Sequence, residues 1–236
     1  MNKNVNSNKR VIRLKTYQEY IKEINEDNGE KLIELDDPNE MIKIAKCYFS
    51  GNDVGKDYTK AFELYEKAAK LGNSEAMYNL AYCYYYGTGT KENYTKAFKW
   101  YEKAAKLGNS EAMYNLGYCY YYGKGVERND KEAFKWYEKA AKLSDSYAMV
   151  NLGECLEKGK GVKKDNIKAF KWYEKAAKLG NEYGMYNLGK CYRRGLGVEQ
   201  NYNKAIELYT KAMGLGVEDA VWELESLEEE LKNIRK

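Results

Sequence analysis

The stretch from Asn109 to Leu143 decides the fold because the chain repeats it: NSEAMYNLGYCYYYGKGVERNDKEAFKWYEKAAKL. Thirty-six residues earlier the sequence reads NSEAMYNLAYCYYYGTGTKENYTKAFKWYEKAAKL, and more divergent copies follow the quoted one. The same 36-residue spacing separates the five cysteines, Cys47, Cys83, Cys119, Cys155 and Cys191. A fixed period of this length indicates one supersecondary unit that stacks on copies of itself.

Each unit has the pattern of a helix, a loop and a second helix. In the quoted unit, Ala112, Leu116 and Cys119 have the spacing of a buried helical stripe, and Gly123 follows as a left-handed stop. An Asp or Asn precedes the second helix in every unit, where its side chain can cap the helix. These cap positions are Asp57, Asn93, Asn129, Asp165 and Asn201. The pattern therefore predicts an all-α fold of stacked antiparallel helix pairs.

The motifs L-G-x-C-Y-x-x-G-x-G-V and K-A-F-K-W-Y-E-K-A-A-K-L-G-N resemble the Sel-one-like repeat, a 36-residue relative of the tetratricopeptide repeat. The resemblance implies a right-handed α-α solenoid, a tetratricopeptide-like superhelix. It covers five units, at residues 38–73, 74–109, 110–145, 146–181 and 182–217. Outside them we predict a disordered tail at 1–15, degenerate N-terminal capping helices at 16–37 and a C-terminal capping helix at 218–236.

Composition narrows the class of protein. A mean hydropathy of −0.83 and 32% charged residues leave no apolar run long enough to cross a membrane. The net charge of +4 favours neither nucleic acid nor an anionic membrane strongly. One cysteine per unit lacks the paired spacing of a zinc site, and stacked helices lie too far apart for disulfides. The thiols are therefore predicted to be buried, which fits a cytoplasmic protein.

The sequence also argues against an enzyme. The chain has no histidine, which excludes imidazole bases and Ser-His or Cys-His nucleophiles. The β-lactamase-like chemistry discussed for some secreted relatives needs Ser-x-x-Lys, and no serine here has a lysine three positions on. The G-x-G loops follow helices rather than strands, so turn geometry explains them better than phosphate binding. No catalytic residue, cofactor or metal is predicted.

The resemblance to tetratricopeptide solenoids places one arc of each first helix on the concave face, the usual groove for extended peptides. The arc is rich in tyrosine in units two and three and basic in unit five. The predicted partner-binding residues are Tyr78, Asn79, Tyr82, Tyr85, Tyr114, Asn115, Tyr118, Tyr121, Asn151, Tyr186, Asn187, Lys190, Arg193 and Arg194. They predict a non-catalytic scaffold or adaptor that binds a protein or extended peptide, with an acidic segment at the basic end. The family's association with signalling complexes implies a role in their assembly.

Alternatives stay open at this level. AT-rich codons would enrich tyrosine without function. They would enrich phenylalanine too, so the 25 Tyr against 5 Phe favour a partly hydrated surface, where the tyrosine hydroxyl can contact water. Some of the tyrosines, especially Tyr86 and Tyr122, are also candidates for packing against the next unit. The aligned asparagines could hold a ligand backbone or tie neighbouring helices together. A single-stranded nucleic-acid binder that stacks bases on tyrosine is the main alternative function, and a secreted hydrolase-like relative is the next.

Overall fold

The computed structural model describes residues 36–234 and Lys22. The predicted tail (1–15) and N-terminal capping helices (16–37) lie outside the described residues, apart from Lys22, Asp36 and Asp37. Residues 36–234 contain eleven α-helices and no strands. The helices are α1 Pro38–Ser50, α2 Tyr58–Lys70, α3 Ser74–Tyr86, α4 Tyr94–Lys106, α5 Ser110–Tyr122, α6 Asp130–Lys142, α7 Ser146–Lys158, α8 Asn166–Lys178, α9 Glu182–Arg194, α10 Tyr202–Gly214 and α11 Glu218–Ile234.

Helices pack in consecutive pairs, so the predicted α-α solenoid is confirmed. The odd-numbered helices α1 to α9 are the first helices of the five units, and the even-numbered ones are the second helices. Within a unit, the residue that caps the second helix donates its backbone N–H to a carbonyl near the end of the first. In the third unit Asn129 N donates to Tyr120 O at 2.8 Å, and each other unit has the equivalent bond. The helix α11 follows α10 in the place of a sixth first helix.

Local signals in the sequence set the helix boundaries. The Asn129 side chain accepts from the backbone N–H of Glu132 at 3.1 Å, and all five predicted caps of second helices accept such bonds. The first helices are capped in the same way, with Pro38 following the Asp37 cap in unit one. Gly123 ends α5 with a φ of 69°, the left-handed conformation predicted for it. The helix termini were therefore predictable residue by residue.

Four tyrosines of the second helices form the centre of the core. Tyr101, Tyr137, Tyr173 and Tyr209 are each at most 1% exposed. In units three to five the ring lies over a glycine of the first helix, and a methyl group added at Gly117 would come within 2.7 Å of the Tyr137 ring. Unit two has Ala81 at that position, and this alanine is fully buried. The small residues thus let the two helices of a unit approach across an aromatic ring.

A second close approach joins one unit to the next. Gly125 has a φ of 74°, and a side chain there would overlap the carbonyl oxygen of Tyr94, at the start of the preceding second helix. Gly89, Gly161 and Gly197 meet the preceding unit in the same way. Both the left-handed backbone and the lack of space require glycine here. The second loop glycine is therefore a contact between units as well as a turn.

The five cysteines are buried, as predicted. Burial raises the pKa of Cys83, Cys119, Cys155 and Cys191 to about 12. A thiol that stays protonated in an apolar site is a poor nucleophile and a poor metal ligand. The cysteines therefore act as small apolar side chains in the core.

Two further classes of feature are missing from the part of the chain that the structure describes. None of its helices combines the length and the apolar character that crossing a bilayer requires. No three acidic or cysteine side chains between residues 36 and 234 come together as metal ligands.

Candidate functional site

The predicted arc lies along three concavities between successive first helices. One, of about 450 Å³, lies between α1 and α3 and is lined by Lys46, Phe49, Ser50, Asn52, Tyr65, Tyr78, Asn79 and Tyr82. A second, also of about 450 Å³, lies mainly between α5 and α7 and is lined by Tyr114, Tyr118, Tyr122, Tyr147, Val150, Asn151, Glu154 and Tyr183. The third, of about 740 Å³, lies between α9 and α11 and is lined by Tyr186, Arg193, Arg194, Gln200, Asp219, Trp222, Glu223, Ser226 and Glu230.

The tyrosines of the arc divide into three groups according to their neighbours. The first group, Tyr78, Tyr114 and Tyr186, lies against the core tyrosines of the second helices. Each ring centroid is 6.0 Å from that of the core tyrosine of its own unit. Burial raises the pKa of Tyr114 to about 12, against the opposite effect of a hydrogen bond with the Asn151 side chain. These three residues form the floor of the concavities and also part of the packing.

The second group, Tyr85 and Tyr121, contacts neighbouring elements. The Tyr85 ring lies 5.0 Å from Tyr94 and 6.4 Å from Tyr118 of the next unit, and burial raises its pKa. The hydroxyl of Tyr121 accepts from Lys160 Nζ of the next unit at 2.5 Å. Neither residue lines any of the three concavities. Their contacts hold adjacent units together.

The third group, Tyr82 and Tyr118, stands on the walls of the concavities. Tyr82 pairs with Tyr86 one turn later, with ring centroids 4.5 Å apart, and Tyr118 pairs with Tyr122 at 4.4 Å. Tyr86 and Tyr122 are 60% and 56% exposed. More than half of each side chain is therefore left uncovered by the next unit. Their ring partners are tyrosines of their own helices, and Tyr82 and Tyr118 themselves are half-buried.

The four aligned asparagines do not share either predicted role, which was to hold a ligand backbone or to tie neighbouring helices together. The side chains of Asn79, Asn115 and Asn187 donate to the carbonyl four residues earlier in their own helices, at 2.9–3.0 Å. Asn187 is also 6% exposed, which leaves little of it for a ligand. Asn151 does bridge two units, through its hydrogen bond with Tyr114. A hydrogen bond within their own helix is thus the role that Asn79, Asn115 and Asn187 share.

The basic end of the arc is already paired within the chain. Arg193 donates to Glu223 at 2.5 Å, to Glu230 at 3.0 Å and to Ser226 at 3.0 Å, all on α11. Arg194 lies 3.5 Å from Glu223 and is about half exposed. Lys190 lies over the ring of Tyr186 at 5.2 Å and is 3.4 Å from the Asn187 side chain. The carboxylates of α11 therefore occupy the place that was predicted to attract an acidic partner.

Several residues that line the concavities were not among the predicted site residues. Tyr147 and Tyr183 lie near the starts of α7 and α9, and both are nearly half exposed. Tyr147 and Glu154 are two turns apart on one helix, so helical periodicity could have placed them on one face. Trp222 stands 36 residues after Tyr186 and is 73% exposed. That period would have identified it as the equivalent of Tyr186.

Comparison with known families gives a match along most of the chain. The model described as Sel1 repeat matches residues 41–73, 74–109, 110–145, 146–181 and 182–216. Comparison with the curated proteins finds no match.

Several solved structures share this architecture. A Sel1 repeat protein from Oxalobacter formigenes is 34% identical with a TM-score of 0.79, over 89% of this chain and 84% of that chain. The protective antigen c5321 of uropathogenic Escherichia coli is 29% identical with a TM-score of 0.74, over 86% of this chain and 42% of that chain. The immunity protein Pa5087 from Pseudomonas aeruginosa is 25% identical with a TM-score of 0.54, over 78% and 67%.

Proposed function

The chain belongs to the Sel1 repeat family, and from this premise we propose that it is a non-catalytic adaptor that binds an extended protein segment along its first helices. Solenoids of this family generally mediate protein–protein interaction. The segment would lie across the concavities, and the complexes assembled in this way would be signalling or regulatory ones. A cytoplasmic location is part of the proposal, because cysteines buried singly in each unit suit a reducing compartment.

The observation that carries the proposal is the pair of tyrosine couples on α3 and α5, in each of which one ring is half-buried and the other is exposed. Tyr82 with Tyr86, and Tyr118 with Tyr122, present ring surface to solvent beside a concavity. Tyrosine suits such a surface, since its ring provides apolar contact, its hydroxyl stays hydrated and it loses little rotamer entropy on binding. Tyr82 and Tyr118 also lie near a ring of the preceding unit, Phe49 at 6.1 Å and Tyr85 at 6.4 Å. Tyr86 and Tyr122 are mostly exposed, and a binding role explains that exposure best.

The chemistry of the partner changes from the sequence-based expectation. An acidic segment at the basic end would have to displace the carboxylates of Glu223 and Glu230 from Arg193. The proposed contact surface therefore centres on the two tyrosine couples rather than on Lys190, Arg193 and Arg194. A nucleic-acid strand finds less support, because Arg193 is paired and Lys160 is bound to Tyr121. Little of a continuous basic track is left for its phosphates.

A selection of peptides tests the proposal without knowledge of the natural partner. A phage-displayed library of random dodecapeptides would be selected on the full chain, and enriched peptides would be measured by fluorescence anisotropy. The double variant Tyr82→Ser/Tyr118→Ser should weaken their binding by about tenfold or more, since aromatic anchors often contribute over 1 kcal/mol each. The variant should keep its helical circular dichroism spectrum.

The matched control is Leu107→Ser/Leu143→Ser. These leucines follow the second helices of units two and three and are 57% and 52% exposed, so they are equally apolar but lie away from the concavities. Binding should be unchanged in this variant. If no peptide is enriched, or if both double variants weaken binding equally, the proposed surface is wrong.

A further inference from the structure

We infer that the concavity between α5 and α7 receives a basic side chain, lysine or arginine, from the bound segment. The inference rests on the proposed function and names the chemistry of one subsite within it. Three properties of this concavity carry it: the charge of its lining, its uncovered aromatic rings and a weak internal ion pair at its edge.

The lining differs in charge from those of the other two concavities. Of its eight lining residues five are tyrosines, one is a carboxylate, Glu154, and none is basic. The concavity between α1 and α3 has a basic residue, Lys46, and no carboxylate in its lining. The one between α9 and α11 mixes two arginines with three carboxylates. The middle concavity alone among the three thus combines aromatic rings with a carboxylate and no basic residue in its lining.

A second carboxylate lies at the rim of the same concavity. Tyr147 donates its hydroxyl to Glu182 at 3.2 Å, which holds this carboxylate beside the lining. An aromatic enclosure with carboxylates at its edge is the arrangement that favours a cation, since the ring faces and the carboxylates attract it together. An acidic or purely apolar side chain would leave these carboxylates without a counter-charge from the partner.

Lysines of this chain repeatedly cover its other aromatic rings. Lys103, Lys139 and Lys175 lie within 4.3 Å of the ring centroids of Trp100, Trp136 and Trp172 on the second helices. Lys160 lies 4.5 Å from the ring of Tyr121. Within residues 36–234, by contrast, no lysine or arginine lies over Tyr118 or Tyr122. The two rings stack on each other with centroids 4.4 Å apart, so the surface left for a cation from outside the chain is the part of the rings that faces the concavity.

The internal partner of Glu154 is easily exchanged. Lys158 approaches Glu154 at 2.8 Å one turn later on α7, with the lysine side chain 49% and the glutamate 33% exposed. Pairs of this kind at the surface of a helix are weak, because water screens the charges and two long side chains lose rotamer freedom. A guanidinium held between the rings could share or replace Lys158 at little cost. Glu154 stands at the register position of Tyr82 and Tyr118, so the change from tyrosine to glutamate is what makes this concavity different.

The experiment uses two small probes that differ in charge and little in shape, Nα-acetyl-L-arginine amide and Nα-acetyl-L-citrulline amide. Each would be titrated into the full chain labelled with ¹³C in its tyrosine rings, with the resonances of Tyr118 and Tyr122 assigned from Tyr→Phe variants. The arginine amide should shift both resonances in a saturable way, and the citrulline amide should bind about tenfold more weakly. The ring resonances of Tyr82 and Tyr86 should shift much less.

Two variants test the carboxylate directly. Glu154→Gln should weaken binding of the arginine amide by about five- to tenfold, because it removes the anion. Lys158→Gln should strengthen binding, because it removes the internal competitor. Both positions are on the surface side of α7, and circular dichroism would verify the fold.

The inference is overturned if the two amides bind alike, or if Glu154→Gln leaves the arginine amide unaffected. This readout is separate from the peptide selection. If the enriched peptides depend on Tyr82 and Tyr118 but the arginine amide binds no better than the citrulline amide, the proposed function stands and this subsite is wrong. If both experiments fail, the first helices do not form a binding groove.

Discussion

The tyrosines of the second helices and those of the concavities show one residue type used in two ways. Tyr137 is 1% exposed, and its ring is buried between the two helices of its unit, over Gly117. Tyr118, in the same unit, stands on the wall of a concavity and stacks with Tyr122. Burial raises the pKa of Tyr137, because the phenolate would be desolvated in the core.

The difference in burial between the two tyrosines follows from the number of helices that surround each ring. The second helix of each unit has first helices on more than one side, so a ring at the Tyr137 position is enclosed. The first helix borders a concavity, so a ring there keeps one face in water. The high tyrosine content of the chain therefore has two causes: packing, in the second helices and in part of the first, and the surface of the concavities, which only first-helix tyrosines such as Tyr118 provide.

The largest expected effect separates these two groups by stability. Tyr137→Ala should destabilise the protein by about 3–5 kcal/mol, because it removes a fully buried ring and leaves a cavity. Tyr118→Ala should cost about 1 kcal/mol or less, since it loses mainly a ring pair at the surface. Urea denaturation followed by circular dichroism measures both. Equal losses in the two variants would mean that the ring of Tyr118 belongs to the core.

The next effect concerns the end of the same arc. Arg193 occupies the register position of Tyr121, but its contacts are with Glu223 and Glu230 on α11. Arg193→Ala should cost about 1–3 kcal/mol, because half-buried carboxylates lose their charged donor. The matched control is Arg194→Ala. Because Arg194 is more exposed and lies 3.5 Å from Glu223, its loss should lower the free energy of unfolding by about 0.5 kcal/mol or less.

Thermal unfolding of Arg193→Ala and Arg194→Ala would show whether these ion pairs hold α11 against α9. Hydrogen exchange should reveal faster opening of α10 and α11 in Arg193→Ala, with units two and three unchanged, because each unit of a solenoid contacts only its neighbours. An unaltered exchange pattern at α11 would show that its apolar contacts, Ala220 and Leu227, hold it without the arginine.

The smallest effect is in the alkaline pH range. The folded-state pKa of Tyr137 is raised by burial above the unfolded value of about 10, so the stability that its protonated hydroxyl contributes is present below pH 10 and is lost as pH rises further. In Tyr137→Phe this loss is absent. The decrease in unfolding free energy between pH 8 and pH 11 should be smaller in that variant by about 1.4 kcal/mol. An identical pH dependence in both proteins would argue that the Tyr137 hydroxyl titrates in the folded state.

The sequence was sufficient for the fold because its signals are local and occur five times. An Asn129 cap, a Gly123 stop and an Ala112–Leu116–Cys119 stripe each act within one or two turns of helix. Every unit repeats them, so an ambiguous signal in one unit is resolved by the others. The burial of the cysteines followed from the same stripe.

The site was less accessible to sequence reasoning because its properties depend on neighbours far along the chain. The period placed Tyr78, Tyr82 and Tyr85 on one arc, but it could not divide them into floor, wall and contact between units. That division requires the distances to Tyr101, Tyr86 and Tyr118. The asparagines show the opposite case, in which a local bond to the carbonyl four residues earlier was overlooked.

By its own pattern, then, the sequence determined the helices, their caps, the stacking of units and the buried cysteines, since these depend on residues close together in the chain. The tertiary structure alone decided that Arg193 pairs with Glu223, thirty residues away, and that Tyr122 faces solvent. It also decided that the middle concavity pairs five tyrosines with Glu154. These outcomes depend on which side chain of the next unit comes within reach, and the position of that unit exists only once the solenoid has stacked.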